Sequence, residues 1–152
     1  KPHTHKVLAK ILEAGVKHHL IHEKLNDTNT ENRLRLQGYA MSEKLEILYE
    51  QNVAIISLSK EELAKYNYQK GDTDGLANLL LSIKGMKAAI VFKEKDGIMK
   101  ISFRSKGAEN PVNVLAKEHF DGGGHANASG GMSDLTVTET LKKLKGLIPQ
   151  YF

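Results

Sequence analysis

The chain has 152 residues, 40% hydrophobic and 26% charged, with three prolines, no cysteine and a net charge of +4. A chain of this length can bury about two-thirds of its unfolded surface, and such a composition excludes disorder, low complexity and a collagen repeat. The lack of cysteine excludes disulfides, a thiol nucleophile and Cys-ligated zinc, and no apolar run nears the roughly 20 residues that span a bilayer. With no signal-peptide pattern either, the expectation is a soluble cytoplasmic protein.

In chain order, residues 4–14 and 16–26 read as two short helices broken near Gly15. Thr28-Asn29-Thr30-Glu31 has the form of a capping box and predicts a third helix from that point. Leu34, Gly38, Met41 and Leu45 then make one apolar or small stripe at helical spacing. Val53 to Leu58 is a continuous apolar run of strand length, followed by a second capping box, Ser59-Lys60-Glu61-Glu62, and a helix to about Tyr66. Asp72 or Thr73 is expected to start a further helix carrying Leu76, Leu79 and Leu80. Residues 87–93 and 98–104 read as strands, and Asp96-Gly97 between them is a hairpin signal. Asn110-Pro111 suits a helix start, with the helix ending near Phe120. A glycine-rich loop follows, and Thr136-Val137-Thr138-Glu139 caps a final helix to about Leu147. This order predicts an α/β (α+β) fold, a mixed sheet with flanking helices. Residues 1–45 are read as a helical connector and 46–152 as the domain proper.

Charge and glycine are both clustered. Residues 82–106 carry seven Lys/Arg against two Asp/Glu, whereas residues 41–81 carry four against seven. The basic block suits an anionic ligand, although on charge alone a solvated lysine face is the better reading. Within it, Met99, Ile101 and Phe103 alternate with Lys100, Ser102 and Arg104. Alternation on a half-buried strand accounts for all six without a ligand. It also puts a hydroxyl and two cations on one face, and an arginine at a strand end can hold a phosphate with a bidentate fork. Five of the thirteen glycines lie between Gly122 and Gly131. A helix C-cap explains one of them; consecutive glycines also let bare amides face an anion. His125, directly after Gly122, Gly123 and Gly124, could donate to a phosphate oxygen or act as acid or base. Ala126, Ala128 and Ser129 keep the next segment slim. The stretch has neither the Gly-Lys-Ser/Thr of a Walker loop nor GxGxxG spacing. Asp72 and Asp74 fit a helix start better than a metal site; Asp74, with Asn78 one turn on, is a secondary ligand candidate, as is Lys100. His18 and His22 stand at i, i+4, a spacing that can chelate zinc, but His19 occupies the place where the zincin pattern needs glutamate. They read as surface histidines, and no metal site is expected in this chain.

Phe103-Arg104-Ser105-Lys106-Gly107, Pro111-Val112-Asn113 and Gly122-Gly123-Gly124-His125-Ala126-Asn127-Ala128-Ser129-Gly130 together resemble the C-terminal substrate-binding domain of DHH-family phosphoesterases, in the bacterial nanoRNase and pAp phosphatase branch. Asn32-Arg33-Leu34-Arg35-Leu36, Gly71-Asp72-Thr73-Asp74-Gly75 and Leu81-Ser82-Ile83-Lys84-Gly85 resemble that branch too. The resemblance covers residues 30–150 and, more loosely, the helices before them. It implies a two-domain parent enzyme. An N-terminal domain would hold two divalent metals, usually manganese, through ligands that include an Asp-His-His motif. The C-terminal domain would close over the cleft and grip the substrate. By this resemblance Arg104 is the arginine that binds a substrate phosphate or terminal nucleotide. His125 is the loop histidine that reaches the phosphate, and Gly122, Gly123 and Gly124 form the approaching loop. Ser105 and Asn127 are weaker carry-overs.

The chain has no Asp-His-His; its one adjacent histidine pair is His18-His19, after Lys17. With that motif absent and Lys1-Pro2-His3 at the start, the chain is expected to be the gripping half, cut from a catalytic domain. Alone it should bind short phosphorylated nucleotides and hydrolyse nothing. Its expected partners are short RNA or nucleotide phosphates and its own catalytic domain, with no membrane and with a homodimeric parent as a further expectation. The expected parent acts on short RNA or on 3′-phosphoadenosine 5′-phosphate. Alternatives in the family are cyclic or linear dinucleotides and polyphosphate. A different class is a non-catalytic nucleic-acid-binding module, like the C-terminal domain of alanyl-tRNA synthetase.

Overall fold

A computed structural model describes residues 2–152, and the chain divides into two units, the first ending at Glu31 and the second running from Asn32 to Phe152. The first holds α1 (Pro2–Glu13) and α2 (His18–Asn26). None of its described side chains is buried, and Leu8, Leu12, Leu20 and Leu25 are all exposed.

The second unit is built on a six-stranded sheet. It comprises α3 (Glu31–Glu43), β1 (Leu45–Leu48), β2 (Val53–Leu58), α4 (Lys60–Lys65), α5 (Leu76–Leu81), β3 (Ala88–Lys95), β4 (Ile98–Ser105), α6 (Val112–His119), β5 (Gly123–His125), β6 (Ala128–Ser133) and α7 (Val137–Leu147). The strand order is β1-β2-β3-β4-β6-β5. Only β2 and β3 run parallel, and the connection between them carries α4 and α5. A parallel pair needs such a crossover, and a strand covered on both faces reads as an unbroken apolar run, which is why Val53 to Leu58 is buried throughout.

Two cores lie on the two faces of the sheet. On one, Ile55, Ile90, Met99, Ile101 and Phe103 pack with Leu115 and Phe120 of the α6 region and Leu144 of α7. On the other, Ala54, Ile56, Leu58, Ala89 and Val91 pack with Leu36 and Ala40 of α3, Leu63 of α4 and Leu76 and Leu80 of α5. No β4, β5 or β6 side chain belongs to this second core. The helical cover on that face therefore ends at β4, and half of the sheet is left open.

Local chemistry sets the element ends. The capping boxes at Ser59 and Thr136 are both formed, each hydroxyl accepting from the amide three residues on. Asp96 (φ 52°) and Gly97 (φ 75°) make the two-residue turn between β3 and β4. Such a turn needs left-handed backbone at both central positions. α3 is tied to α4 by a polar cluster: Tyr39 Oη donates to Glu62 at 2.6 Å, and Lys44 Nζ lies 2.8 Å from the same carboxylate oxygen. Burial pushes the Glu62 carboxyl up, but the Lys44 ammonium, the Ser59 amide and the Tyr39 hydroxyl outweigh it and hold the carboxyl below its usual value. The same bond pushes the Tyr39 hydroxyl up to about 12.

Several expectations need correction. The second compact unit begins at Asn32, and Leu36 and Ala40 of α3 are fully buried in the second core. The inward face of α3 is thus Leu36/Ala40, whereas Leu34 is 55% exposed. α3 starts at Glu31, later than a cap at Thr28 would place it. Leu45 opens the edge strand β1, pairing with Ile56, rather than closing a helical stripe. α5 starts at Leu76, because Asp72 is used in the preceding turn, where its carboxylate accepts from the Gln69 amide at 2.7 Å. Asn110 is not a helix cap: its Nδ2 donates to the Lys106 carbonyl at 2.8 Å. The glycine-rich segment is not a loop but the hairpin β5–β6.

Candidate functional site

β4 positions the central residues. Met99, Ile101, Phe103 and Ser105 point into the first core, so Lys100, Ser102 and Arg104 point to the open face. The register then builds rows across the sheet. Arg104 stands opposite Ala89 on β3 and Ala128 on β6, and Ala128 stands opposite His125 on β5. Directly opposed residues share a face, so Arg104, Ala128 and His125 form one row, with Arg104 and His125 two strand spacings, about 10 Å, apart. In the next row Ser102 is followed by Gly130 and Gly123, a patch of bare backbone beside the two. Ala128, which stands between them in the row, carries only a methyl side chain.

α5 and the turn before it wall this face on one side. Thr73, Asp74, Gly75, Ala77 and Asn78 enclose a groove of about 390 Å³ together with Val91 and Lys93 of β3 and Lys100, Ser102 and Arg104 of β4. The groove thus brings Arg104, Lys100, Asp74 and Asn78 together, with the His125 hairpin lying two strands from Arg104. Arg104 Nη1 donates to the Phe103 carbonyl at 2.8 Å, and no ion pair among the described residues involves Arg104. His125 is exposed.

The three consecutive glycines have different reasons to be glycine. A Cβ on Gly122 would come within 2.1 Å of the Gly130 carbonyl oxygen. Gly124, at φ +139°, would put one 2.7 Å from the Ala128 oxygen. Both are required by the close approach of chain segments in and beside the hairpin. Gly123 has nothing within 4 Å of the Cβ position. It lies on the open face, and packing within the chain does not require a glycine there.

Two residues of the expected site lie elsewhere. Ser105 points to the opposite face and is 7% exposed. Asn127 Nδ2 donates to Ser105 Oγ at 2.8 Å and to the Gly107 carbonyl at 2.7 Å, pinning the chain after β4 to the hairpin. These two residues shape the site from behind. Lys93 was not singled out from the sequence, and its exposure to the groove became visible only through the β3–β4 register, which sets it opposite Lys100.

Histidines 18, 19 and 22 line a shallow surface groove with Glu23 and Asp27. Among the described residues no set of three His, Cys, Asp or Glu side chains is arranged to hold a metal ion. The described residues therefore do not fit a two-metal centre. Among the described residues, no helix is long and apolar enough to cross a membrane.

A mixed sheet with cations, a hydroxyl and bare glycine backbone on one half-open face is an α/β domain suited to an anionic ligand. Residues 50–151 match the DHHA1 domain, and the chain belongs to this DHH-associated family of the DHH phosphoesterases. It is 32% identical over 99 residues to the bifunctional oligoribonuclease and PAP phosphatase NrnA of Bacillus subtilis, a match covering 65% of this chain and 30% of that protein. It is 33% identical over 108 residues to the cyclic-di-AMP phosphodiesterase GdpP of the same organism, covering 70% of this chain and 16% of that one. Among solved structures, an exopolyphosphatase-related protein from Bacteroides fragilis superposes with a TM-score of 0.92 at 38% identity, over 99% of this chain and 44% of that chain. The chain therefore spans less than half the length of each of these relatives.

Proposed function

We propose that this chain is the substrate-gripping part of a metal-dependent phosphoesterase that acts on short oligoribonucleotides or 3′-phosphoadenosine 5′-phosphate, its metals held outside the residues described here. The observation that carries the reading is the row Arg104–Ala128–His125 beside the bare Gly123–Gly130 backbone. Arg104 would hold a phosphate through its planar fork, and the exposed His125 would donate to another oxygen of the same or an adjacent phosphate. Gly123 would let the backbone come within reach of the same ligand. Similarity to NrnA supports this substrate class. Similarity to GdpP supports a second reading, in which the same grip takes a cyclic dinucleotide.

The test is a binding panel on the purified chain by calorimetry: adenosine 3′,5′-bisphosphate, RNA dimers to pentamers, cyclic dinucleotides and polyphosphate. Binding of the bisphosphate and short RNA that is lost in Arg104→Ala and His125→Ala is the expected result. Preference for a cyclic dinucleotide would favour the second reading. Binding indifferent to both substitutions would refute the site. Release of phosphate or mononucleotide by the purified chain would refute the assignment of the metals to another part of the protein.

A further inference from the structure

We propose that Asp74 is a specificity-determining residue: its carboxylate favours a ligand that carries a hydroxyl or amine donor beside its phosphate, and disfavours polyphosphate and other bare inorganic anions. The inference rests on the function proposed above and narrows the ligand to one that carries a nucleoside.

Asp74 is the one carboxylate lining the groove, where it faces the company of Lys93, Lys100 and Arg104. Among the described residues no hydrogen bond or ion pair engages this carboxylate; only the backbone groups of Asp74 have partners. Helix capping does not account for it, because α5 follows Gly75 and has no side-chain cap. A groove that took phosphate alone would gain nothing from it, since a negative charge there repels the anion that the cations attract.

The residue is nevertheless held firmly in place. It lies in the turn between Gly71 (φ 107°) and Gly75 (φ 90°), and its amide donates to the Gly71 carbonyl at 2.8 Å. From α3, Gln37 Nε2 donates to the Asp72 carbonyl at 2.9 Å and Arg33 Nη2 to the Asp74 carbonyl at 3.1 Å. From β3, Lys93 Nζ donates to Thr73 Oγ1 at 2.5 Å. Each residue from Asp72 to Asp74 is therefore fastened to a neighbouring element, and the carboxylate is carried on a fixed wall.

That wall and the strand beside it offer opposite chemistry. An ionised carboxylate only accepts hydrogen bonds, and the amide of Asn78, which lines the same wall, accepts as well as donates. Lys100 and Arg104 on β4 only donate. Polyphosphate at neutral pH presents acceptors and negative charge, so it suits the strand but leaves Asp74 unpaired beside a like charge. A phosphate joined to a ribose hydroxyl or to the exocyclic amine of a base suits both. A site built to take a hydrogen bond from its ligand discriminates strongly against one that lacks the donor.

The measurement is affinity by calorimetry, at fixed salt and without divalent metal. The probes are adenosine 3′,5′-bisphosphate, its 2′-deoxy analogue, inosine 3′,5′-bisphosphate and tripolyphosphate. Wild type is expected to bind the adenosine bisphosphate about tenfold more tightly than tripolyphosphate. Asp74→Asn and Asp74→Ala should each bind tripolyphosphate several-fold more tightly than wild type does, and the ratio should fall about fivefold or more. Asp74 is exposed, so neither substitution should move the melting temperature. A penalty for the 2′-deoxy analogue that is present in wild type and absent in Asp74→Ala supports the proposal with the ribose hydroxyl as donor; the same pattern for the inosine analogue supports it with the exocyclic amine. If wild type binds both analogues as tightly as the parent, or if the ratio is the same in Asp74→Ala as in wild type with Arg104-dependent binding intact, the role of Asp74 is overturned and the proposed function stands. Absence of any Arg104-dependent binding in wild type overturns both.

Discussion

The two halves of the sheet differ in what covers them. β2 and β3 are packed on both faces, and their apolar residues from Val53 to Leu58 and from Ala88 to Phe92 are nearly all inaccessible. β4, β6 and β5 are packed on one face only, because the layer of α3, α4 and α5 stops at β4. One half supplies stability, and the other keeps polar side chains available. A single strand, β4, serves both purposes by alternation, and neighbouring residues on it should respond to substitution in opposite ways.

Phe103→Ala should give the largest effect on the fold. The side chain is fully buried against Phe120, with ring centroids 5.6 Å apart, and its loss should cost about 3–5 kcal/mol in denaturant unfolding. Next to it, Arg104→Ala should leave stability within about 0.5 kcal/mol and weaken phosphate-ligand binding about 10- to 100-fold, measured by calorimetry. If both substitutions moved stability equally, the division of labour on β4 would be wrong. The hairpin offers a finer version of the same contrast. Gly124→Ala should destabilise by about 1–3 kcal/mol, since it forces both a left-handed φ and a clash with Ala128. Gly123→Ala should melt like wild type yet bind phosphate ligands several-fold more weakly, because the added methyl enters only open space.

The smallest expected effect lies in the covered half and depends on pH. The folded Glu62 carboxyl sits below its ordinary value of 4.5. Its contribution to stability is therefore complete above that value and is lost as pH falls through the lower, folded one. Glu62→Gln should cost about 1 kcal/mol at neutral pH and less at pH 3. An equal penalty at both pH values would show that the Lys44–Glu62–Tyr39 cluster acts through shape and not through charge.

Much of β4 is legible in the sequence alone, because strict alternation specifies both a strand and its faces. The two capping boxes at Ser59 and Thr136 and the Asp96-Gly97 turn were legible for the same reason: each uses local chemistry that works without a distant partner. What escaped depends on distant partners. β1 has only four residues, none of them fully buried, and exists by pairing with β2. The inward face of α3 is selected by the sheet, which takes Leu36 and Ala40 and leaves Leu34 outside. β5 and β6 are rich in glycine and alanine, so propensity argues against strands there, and only the ladder to β4 overrides it. Among the expected contacts, Arg104, Lys100, Asp74 and Asn78 share a groove, whereas Ser105 faces away, since its position on β4 has the parity of Phe103.

The glycine run also bears on how such motifs are read in other sequences. Gly122 and Gly124 are needed for the chain to make its hairpin, whether or not a ligand ever arrives. A relative that had lost its ligand would still need them, so their presence is a signature of the fold. Gly123 carries no such obligation. Under the proposed function, a larger residue at that one position, in a chain that keeps its two neighbours, would mark a domain that has retained its architecture and given up its grip.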